Sequence, residues 1–454
     1  MGIVARRPGA LVVLLVVVLA LIALGAPWSG AARAQTLRPA INRHGELGGA
    51  PYLMAVPENW QGGLVVFAHG IQRGTGPGDV TRPPIASHIA AAGHAWISSG
   101  YRAREYQPHL FIEDLVALRE LFLKEVGQPR WTIIYGQSMG GHIVVASLEL
   151  RPGLYQGGLA ECGLVDGIGI ADYLMAYTAA AELISGVTLF DLPDRDAYNR
   201  AVGELVQALG MPGSYTARGR QFDSVVKYLM GGDQAGNDLP LRLDGLSRRY
   251  LLNVMYRPRD LDAEPNPGLR AASTVNVKYR IDPGLGLSAD EINAKVRRVH
   301  PFKDGRSASV NPVYAERTGR LTVPLLTLHE TGDAWVPLSL EQAYRRRTIA
   351  VGTDHLLVQR VYRAGSHCGV DGNIRRQAFD DLVAWIERGV RPKGEDVLAP
   401  DLSRIGLEWT PALLLRYTRV LFTQPLKKQL VEYLGYGLAL EGLSVVDRTV
   451  TPGA

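Results

Sequence analysis

The chain has 454 residues, of which 46% are hydrophobic and 20% charged, as in globular proteins with a large core. This composition excludes a generally disordered chain. The formal net charge of +5 comes from lysines and arginines spread along the sequence, and short runs such as Arg345-Arg346-Arg347 and Arg297-Arg298 are typical of solvated helix faces. We therefore expect no nucleic-acid partner.

The N-terminus has the layout of a secretory signal peptide over residues 1–34. Arg6 and Arg7 precede an unbroken apolar stretch over residues 10–26, and Ala32-Arg33-Ala34 supplies the small residues of a signal peptidase site. We expect cleavage before Gln35 and a secreted or periplasmic protein. The alternative is a protein tethered by an uncleaved signal, because the apolar stretch is near the lower limit of about 17 residues that can span a bilayer.

Short apolar segments then alternate with helical patterns, which is typical of βαβ units and a mainly parallel sheet. The predicted strands are 63–68, 95–99, 131–135 and 158–160, and the predicted helices are 84–92, 110–126 and 141–150. We interpret residues 35–171 as the first part of an α/β core. Residues 172–320 are rich in helical patterns and interrupted by proline and glycine, which predicts a helical cap or insertion.

The alternation resumes after the insertion. Strands are predicted at 323–328 and 358–362, and helices at 339–348 and 375–388, so that residues 321–392 form the second part of the core. Residues 393–454 are predicted to be a C-terminal helical tail, with a leucine-rich helix near 413–421. We expect this tail to pack on the core or on the insertion.

The pentapeptide Gly136-Gln137-Ser138-Met139-Gly140 lies between a predicted strand and a predicted helix. A serine on so tight a turn has a strained backbone and needs small neighbours, because the chain passes close on both sides. A serine hydroxyl is also a poor nucleophile unless a general base, oriented by an acid, removes its proton. This context predicts that Ser138 is a nucleophile.

Candidates for the base and the acid follow the two late strands. His367 lies in a glycine-flanked loop after the last strand and is the predicted base. Asp333 follows the strand 323–328 at the sheet edge where open α/β sheets place functional loops, so it is the predicted acid. Asp166 and Asp172, after the preceding strand, are the alternative acids.

A tetrahedral oxyanion needs two hydrogen-bond donors. The strand 63–68 ends in His69-Gly70, after which backbone N–H groups can face the serine. We expect the N–H groups of Ile71 and Met139 to be these donors. The alternative is that His69-Gly70 is only a glycine turn at the end of a strand.

The chain has two cysteines, Cys162 and Cys368. Export would place them where disulfides persist, and their spacing fits no zinc pattern, so we expect no bound metal. If they are paired, they close a loop of about 200 residues, which stabilises the fold by about 4 to 5 kcal/mol in the chain-entropy model.

These motifs together resemble the α/β-hydrolase superfamily over residues 64–391, with the insertion set aside. The resemblance implies a mainly parallel central sheet flanked by helices, with a helical cap insertion and a Ser138-Asp333-His367 triad. More distantly the chain resembles secreted bacterial serine esterases of the feruloyl esterase and tannase-like types. In the tannase-like pattern a cysteine precedes the serine, where this chain has Gln137, so the resemblance makes Cys162 the expected partner of Cys368.

The leading hypothesis is therefore a secreted serine hydrolase that cleaves small-molecule or polymeric carboxylic esters without a cofactor. The resemblance also extends to prolyl-peptidase-like and tripeptidyl-aminopeptidase-like enzymes. An exopeptidase of this kind should present a carboxylate or an arginine in the cap to hold a free peptide terminus, and Glu161 and Glu182 are two of many available residues. Acyl transfer to an alcohol and a non-catalytic binding role are further alternatives. In the insertion, Tyr173, Tyr177 and Leu183 suit an apolar acyl or aromatic group, although such residues also serve packing alone.

Overall fold

The computed structural model describes residues 40–210, 215–233, 254–262, 264, 266–365 and 367–410. The predicted signal peptide and the helix predicted near residues 413–421 lie outside these ranges. Within them, no helix combines the length and the apolar character needed to cross a bilayer.

An eight-stranded sheet forms the centre of the protein, in the order β1-β2-β4-β3-β5-β6-β7-β8. β2 pairs antiparallel with β1 and β4, and all other pairs are parallel. Each strand predicted from the sequence is present, with ends displaced by at most about two residues. The strands are β1 (Ile41–Leu47), β2 (Ala50–Val56), β3 (Gly63–Ala68), β4 (Ala95–Ser99), β5 (Trp131–Gln137), β6 (Gly157–Glu161), β7 (Leu325–Glu330) and β8 (Leu357–Tyr362).

The hairpin of β1 and β2 was not predicted. β1 is polar and largely exposed, so its sequence lacks the apolar alternation that marks a half-buried strand. Gly48 and Gly49 connect the two strands with φ values of 61° and 83°, the positive values that a two-residue turn between twisted strands requires. This Gly-Gly pair was the available signal for the hairpin.

Helices cover both faces of the sheet. In the described part of the chain they are α1 (Ala86–Ala91), α2 (Pro108–Glu125), α3 (Met139–Leu150), α4 (Gly169–Ser185), α5 (Arg195–Leu209), α6 (Ala217–Leu229), α7 (Pro267–Ala271), α8 (Ala289–Lys295), α9 (Leu338–Val351) and α10 (Gly372–Arg388). α1 and α10 pack on the face that carries Val65 and Phe67. α2, α3 and α9 pack on the face that carries Leu64 and Val66. Because both faces are buried, the central strands are continuous apolar runs.

The connection from β6 to β7 contains α4 to α8. Its described residues contribute no strand to the central sheet, which agrees with the helix-rich insertion expected here. α5 and α6 pack against α4, which begins this connection. The exact domain boundaries given by the sequence remain predictions.

The first residues of the predicted C-terminal tail pack beside β8. Val397, Leu402 and Ile405 form a small apolar cluster with Leu338 at the start of α9 and Val361 on β8. The described start of the tail therefore lies on the core, as expected.

Candidate active site

Ser138 forms the turn between β5 and α3. β5 ends at Gln137 and α3 begins at Met139, so the serine alone makes the turn. Its φ of 54° lies in the left-handed region, where an L-residue is strained. The N–H of Ser138 donates to the carbonyl of Glu161 at the end of β6 over 3.1 Å, which helps to hold this geometry.

Two glycines allow the backbone to pass close to this turn. A Cβ on Gly140 would lie 2.0 Å from the carbonyl oxygen of Ala68, and a Cβ on Gly136 would lie 2.2 Å from the carbonyl oxygen of Gly140. These distances are too short for any side chain, so both positions require glycine. The need for small residues around the serine is thereby confirmed.

His367 and Asp333 reach Ser138 from two later loops. His367 follows β8, and its Nε2 lies 2.9 Å from Ser138 Oγ. Asp333 follows β7, and its Oδ2 lies 2.6 Å from His367 Nδ1. Because a carboxylate accepts hydrogen bonds, Nδ1–H donates to Asp333 and Nε2 is left to accept from the serine hydroxyl. The structure thus brings the three predicted residues into one hydrogen-bonded chain.

Asp333 is fully buried and held by its own loop. Its Oδ1 accepts hydrogen bonds from the N–H groups of Trp335 over 2.9 Å and Val336 over 3.1 Å. Burial lowers the pKa of the His367 imidazole, but the carboxylate of Asp333, followed by those of Glu330 and Glu161, raises it. The result is a pKa above the ordinary value of 6.5.

The expected oxyanion donors lie near Ser138. Met139 is the first residue of α3, where backbone N–H groups lack an acceptor within the helix. Gly70 packs against the serine, since a Cβ on Gly70 would lie 3.2 Å from Ser138 Cβ. Ile71 follows directly and is 39% exposed. The role of these two N–H groups as oxyanion donors remains a prediction.

His69 supports the loop that leads to Ile71. Its buried ring donates from Nδ1 to the carbonyl of Gly70 over 2.7 Å. The ring stacks on Tyr101, which in turn stacks on Phe111, with 4.1 Å between ring centroids in each pair. Burial lowers the pKa of His69 to about 4, so this histidine is neutral near physiological pH.

A disulfide joins Cys162, directly after β6, to Cys368, directly after His367. The two Cα atoms are 5.1 Å apart. These cysteines and His367 form the one cluster of potential metal ligands found among the described residues, and in the disulfide neither sulfur is a thiolate. The bond fixes the residue after the histidine to the strand end beside the serine turn.

The alternative acids have other partners. Asp166 forms an ion pair with Arg347 of α9. Asp172 forms a two-pronged ion pair with Arg306, over 2.7 and 2.8 Å. Asp333, and not these aspartates, is therefore the carboxylate bonded to His367.

Two other histidines hold buried backbone in place. His142 on α3 is hydrogen-bonded through Nδ1 to the hydroxyl of Tyr106 over 2.6 Å and through Nε2 to the carbonyl of Val313 over 2.8 Å. His329 donates from Nε2 to the carbonyl of Val336 over 2.7 Å. Both rings are fully buried and bonded to backbone carbonyls, so their roles are structural.

The aromatic residues noted in the insertion serve packing. Tyr177 is fully buried and makes an edge contact with Phe222 at 5.0 Å between centroids. Tyr173 is also buried, and its hydroxyl donates to the carbonyl of Ala334 over 3.0 Å. Tyr173 therefore connects α4 to the loop of Asp333. Of Tyr173, Tyr177 and Leu183, only Leu183 is half-buried.

Two ionisable residues beside His367, Glu330 and Arg375, were not predicted from the sequence. Glu330, the last residue of β7, accepts from the N–H of Gly369 over 2.7 Å, and burial, followed by the charge of Asp333, raises its pKa to about 8. Arg375 on α10 donates to the carbonyl of Cys368 over 2.9 Å. The only indication of these residues in the sequence was the carboxylate of Glu330 at the end of an apolar strand.

A large cavity lies away from these residues. It has a volume of about 950 Å³ and is lined by α2, the end of α3 and insertion residues such as Val310 and Tyr314. None of Ser138, Asp333 and His367 lines it. It is therefore not part of the candidate site.

Two observations decide the fold. The residues of the hydrogen-bonded chain follow one another in the order Ser138, Asp333, His367, and the serine lies on a strained strand-to-helix turn of a mainly parallel sheet. The chain has an α/β-hydrolase fold. No protein-family model matches its sequence, and no curated protein matches it either.

Among solved structures, the chain is similar to acylaminoacyl peptidase of Pyrococcus horikoshii. The identity is 15%, the TM-score is 0.39, and the match covers 80% of this chain but 44% of the peptidase. The chain thus spans less than half of that protein. Feruloyl esterase B from Aspergillus oryzae has 12% identity, a TM-score of 0.38 and coverage of 78% of this chain and 81% of its own. A proline iminopeptidase-related protein from Thermus thermophilus has 15% identity, a TM-score of 0.36 and coverage of 77% and 99%. Likenesses this distant do not identify a substrate.

Proposed function

We propose that the protein is an exported serine hydrolase that cleaves carboxylic esters through an acyl-enzyme. The observation that carries this proposal is the hydrogen-bonded chain from Ser138 Oγ through His367 to Asp333, over 2.9 and 2.6 Å. A neutral imidazole with its Nε2 on a serine hydroxyl and its Nδ1–H on a carboxylate has the arrangement that activates a serine.

In the acylation step, Ser138 Oγ attacks the ester carbonyl carbon while His367 Nε2 takes the hydroxyl proton. Asp333 stabilises the imidazolium that forms and keeps the ring in the required orientation. The negative charge that develops on the carbonyl oxygen is stabilised by the N–H groups of Ile71 and Met139. The intermediate collapses when the carbon–oxygen bond to the alcohol breaks and His367 returns the proton to that alcohol.

Deacylation repeats these steps with water as the nucleophile. His367 Nε2 takes a proton from the water as its oxygen attacks the acyl carbon, and then returns a proton to Ser138 Oγ. The products are a carboxylic acid and an alcohol. Every proton moves between groups of this chain and the substrate, so the proposed reaction needs no metal or organic cofactor.

The environment of two carboxylates supports an ester substrate over a peptide that either of them would hold by its free amino terminus. An exopeptidase holds the charged terminus with a group of opposite charge. Glu161 is fully buried and paired with Arg375. Glu182 accepts from the N–H of Leu189 and pairs with Arg297. Both carboxylates suggested for this task therefore already have partners inside the fold.

Export is the remaining part of the proposal. Residues 1–34 have the sequence layout of a signal peptide, and the Cys162–Cys368 disulfide fits an oxidising compartment, so both support export. We propose that the partner is an ester substrate, that no nucleic acid is bound, and that any membrane contact is made through an uncleaved signal.

The test is to export the full chain with and without Ser138→Ala and to compare their hydrolysis of short, long and aromatic nitrophenyl esters and of aminoacyl nitroanilides. We expect ester hydrolysis to fall at least about 10⁴-fold in the variant, because the nucleophile is lost. Ser147→Ala, which changes a buried serine further along α3, is the matched control and should keep its activity.

Hydrolysis of the anilides alone would move the assignment to a peptidase or amidase. Transfer of the acyl group to an added alcohol in preference to water would indicate an acyltransferase. Activity on neither substrate class would contradict the proposal and favour a binding role.

A further inference from the structure

The Cys368–Gly369 peptide, one residue beyond His367, is held from both sides by the side chains of Arg375 and Glu330. The carbonyl of Cys368 accepts from Arg375 Nη2 over 2.9 Å, and the N–H of Gly369 donates to Glu330 Oε1 over 2.7 Å. Cys368 has a φ of 59°, which is strained for a residue with a side chain. Such a conformation persists only where its surroundings hold it.

Arg375 is itself fixed by a buried carboxylate. Its Nε lies 2.7 Å and its Nη2 2.6 Å from Glu161 Oε1. The other carboxylate oxygen of Glu161 accepts from the hydroxyl of Tyr135 over 2.6 Å. The Glu161 side chain is fully buried and that of Arg375 is 17% exposed, so solvent screens this pair only weakly. The arginine therefore has a defined position.

Glu161 also contacts the serine turn. Its backbone carbonyl accepts from the N–H of Ser138 over 3.1 Å, while its side chain reaches the histidine loop through Arg375. Glu161 is thus bonded to the serine turn directly and to the histidine loop through Arg375. The relative position of these two segments sets the distance between Ser138 Oγ and His367 Nε2.

We propose that Glu161 and Arg375 are positioning residues that keep His367 aligned with Ser138 by fixing the Cys368–Gly369 peptide. This inference rests on the proposed function. The Cys162–Cys368 disulfide bonds the side chain of Cys368, whereas Arg375 holds its carbonyl, so the two constraints act on different atoms. A displacement of about 1 Å at a catalytic group lowers a rate by about 100-fold, so a small rotation of this peptide is enough to matter.

The test measures kcat and KM for one ester with Arg375→Met, Arg375→Lys and the matched control Arg376→Met. Arg376 is the next residue of α10, is exposed, and bonds only to Asn373 among the described residues. We expect Arg375→Met to lower kcat by about 10- to 100-fold and to change KM by less than about threefold, because alignment and not binding is lost. Arg375→Lys should restore part of kcat, since lysine keeps a cation beside Glu161, and Arg376→Met should match the unaltered protein.

Arg375→Met leaves the Glu161 charge unpaired and can prevent folding, so Glu161→Gln/Arg375→Met is measured alongside it, with near-ultraviolet circular dichroism as the test of folding. A lowered kcat at constant KM in the folded variants supports the proposal. An unchanged kcat in any folded Arg375 variant, Arg375→Lys included, overturns it. If the proposed function itself is wrong, the result is different, because the unaltered protein then shows no ester turnover that depends on Ser138.

Discussion

The charge state of His367 sets the pH range of the proposed reaction, because only the neutral imidazole can take the Ser138 proton. Burial lowers the pKa of this imidazole, whereas Asp333 and then Glu330 and Glu161 raise it above 6.5. We therefore expect kcat/KM to decrease as the pH falls through a value above 6.5.

Replacing Asp333 by asparagine tests this account at a single residue. The amide removes the charge that contributes most to raising the His367 pKa and no longer selects the Nδ1–H tautomer. We expect kcat to fall by about 10³- to 10⁴-fold and the acid limb of the pH profile to move to lower pH. The first is read from kcat and the second from kcat/KM, both measured across the pH range in constant-ionic-strength buffers.

Asp371→Asn is the control for this substitution. Asp371 is the N-cap of α10 and accepts from the N–H of Asn373, and asparagine caps helices as well as aspartate does. Its pH profile should be unchanged. An acid limb that stays in place in Asp333→Asn would show that the Asp333 charge does not control the histidine.

Some residues of the site could be predicted from the sequence and others could not. Ser138, Asp333 and His367 could be predicted because each follows a strand, and parallel strands place such loops at one edge of a sheet. Arg375 could not, because its partner Glu161 lies 214 positions away and neither residue belongs to a recognisable motif. Its role depends on which side chains the fold brings together.

Among the secondary-structure elements, the passage from β5 to α3 leaves no room for a side chain at Gly140. A Cβ on Gly140 would lie 2.0 Å from a backbone oxygen of β3, which cannot move without disturbing the sheet. Gly203, within α5, has nothing within 4 Å of an added Cβ. Replacing Gly140 and Gly203 by alanine should therefore have opposite effects on the free energy of unfolding.

We expect Gly140→Ala to destabilise the protein by at least about 1 to 3 kcal/mol, because the added methyl group overlaps the backbone. Gly203→Ala should stabilise it by about 0.5 to 1 kcal/mol, because alanine loses less conformational freedom in a helix. Urea unfolding followed by circular dichroism measures both. Equal midpoints for the two variants would mean that the turn is not packed as described.

Most of the buried apolar strands could be predicted, but β2, which is apolar and largely buried, was missed together with the polar β1. β3 and β4 matched their predicted bounds because both are buried on either face. β1 was missed because an exposed edge strand carries no apolar alternation. The insertion was recognised by the interruption of the strand pattern, but its helices could not be placed from the sequence.

At the scale of the whole molecule, ion pairs between distant segments fix the insertion to the core. Arg317 reaches Glu149 of α3 at 3.8 Å with both side chains buried, and Arg347 of α9 pairs with Glu316 over 2.7 Å. These contacts join residues that no sequence pattern connects. The fold class could thus be inferred from the alternation of strands and helices, whereas the attachment of the insertion required the structure.

The central claim, that this fold assembles a reactive serine at position 138, is tested most directly by covalent trapping. The exported protein is incubated with an aryl alkylphosphonate ester, on which an activated serine forms an O–P bond and releases the phenol, and the product is analysed by intact mass and peptide mapping. We predict one adduct, on the peptide that contains Ser138, and none in Ser138→Ala. The absence of an adduct, or an adduct on another residue, would contradict the account.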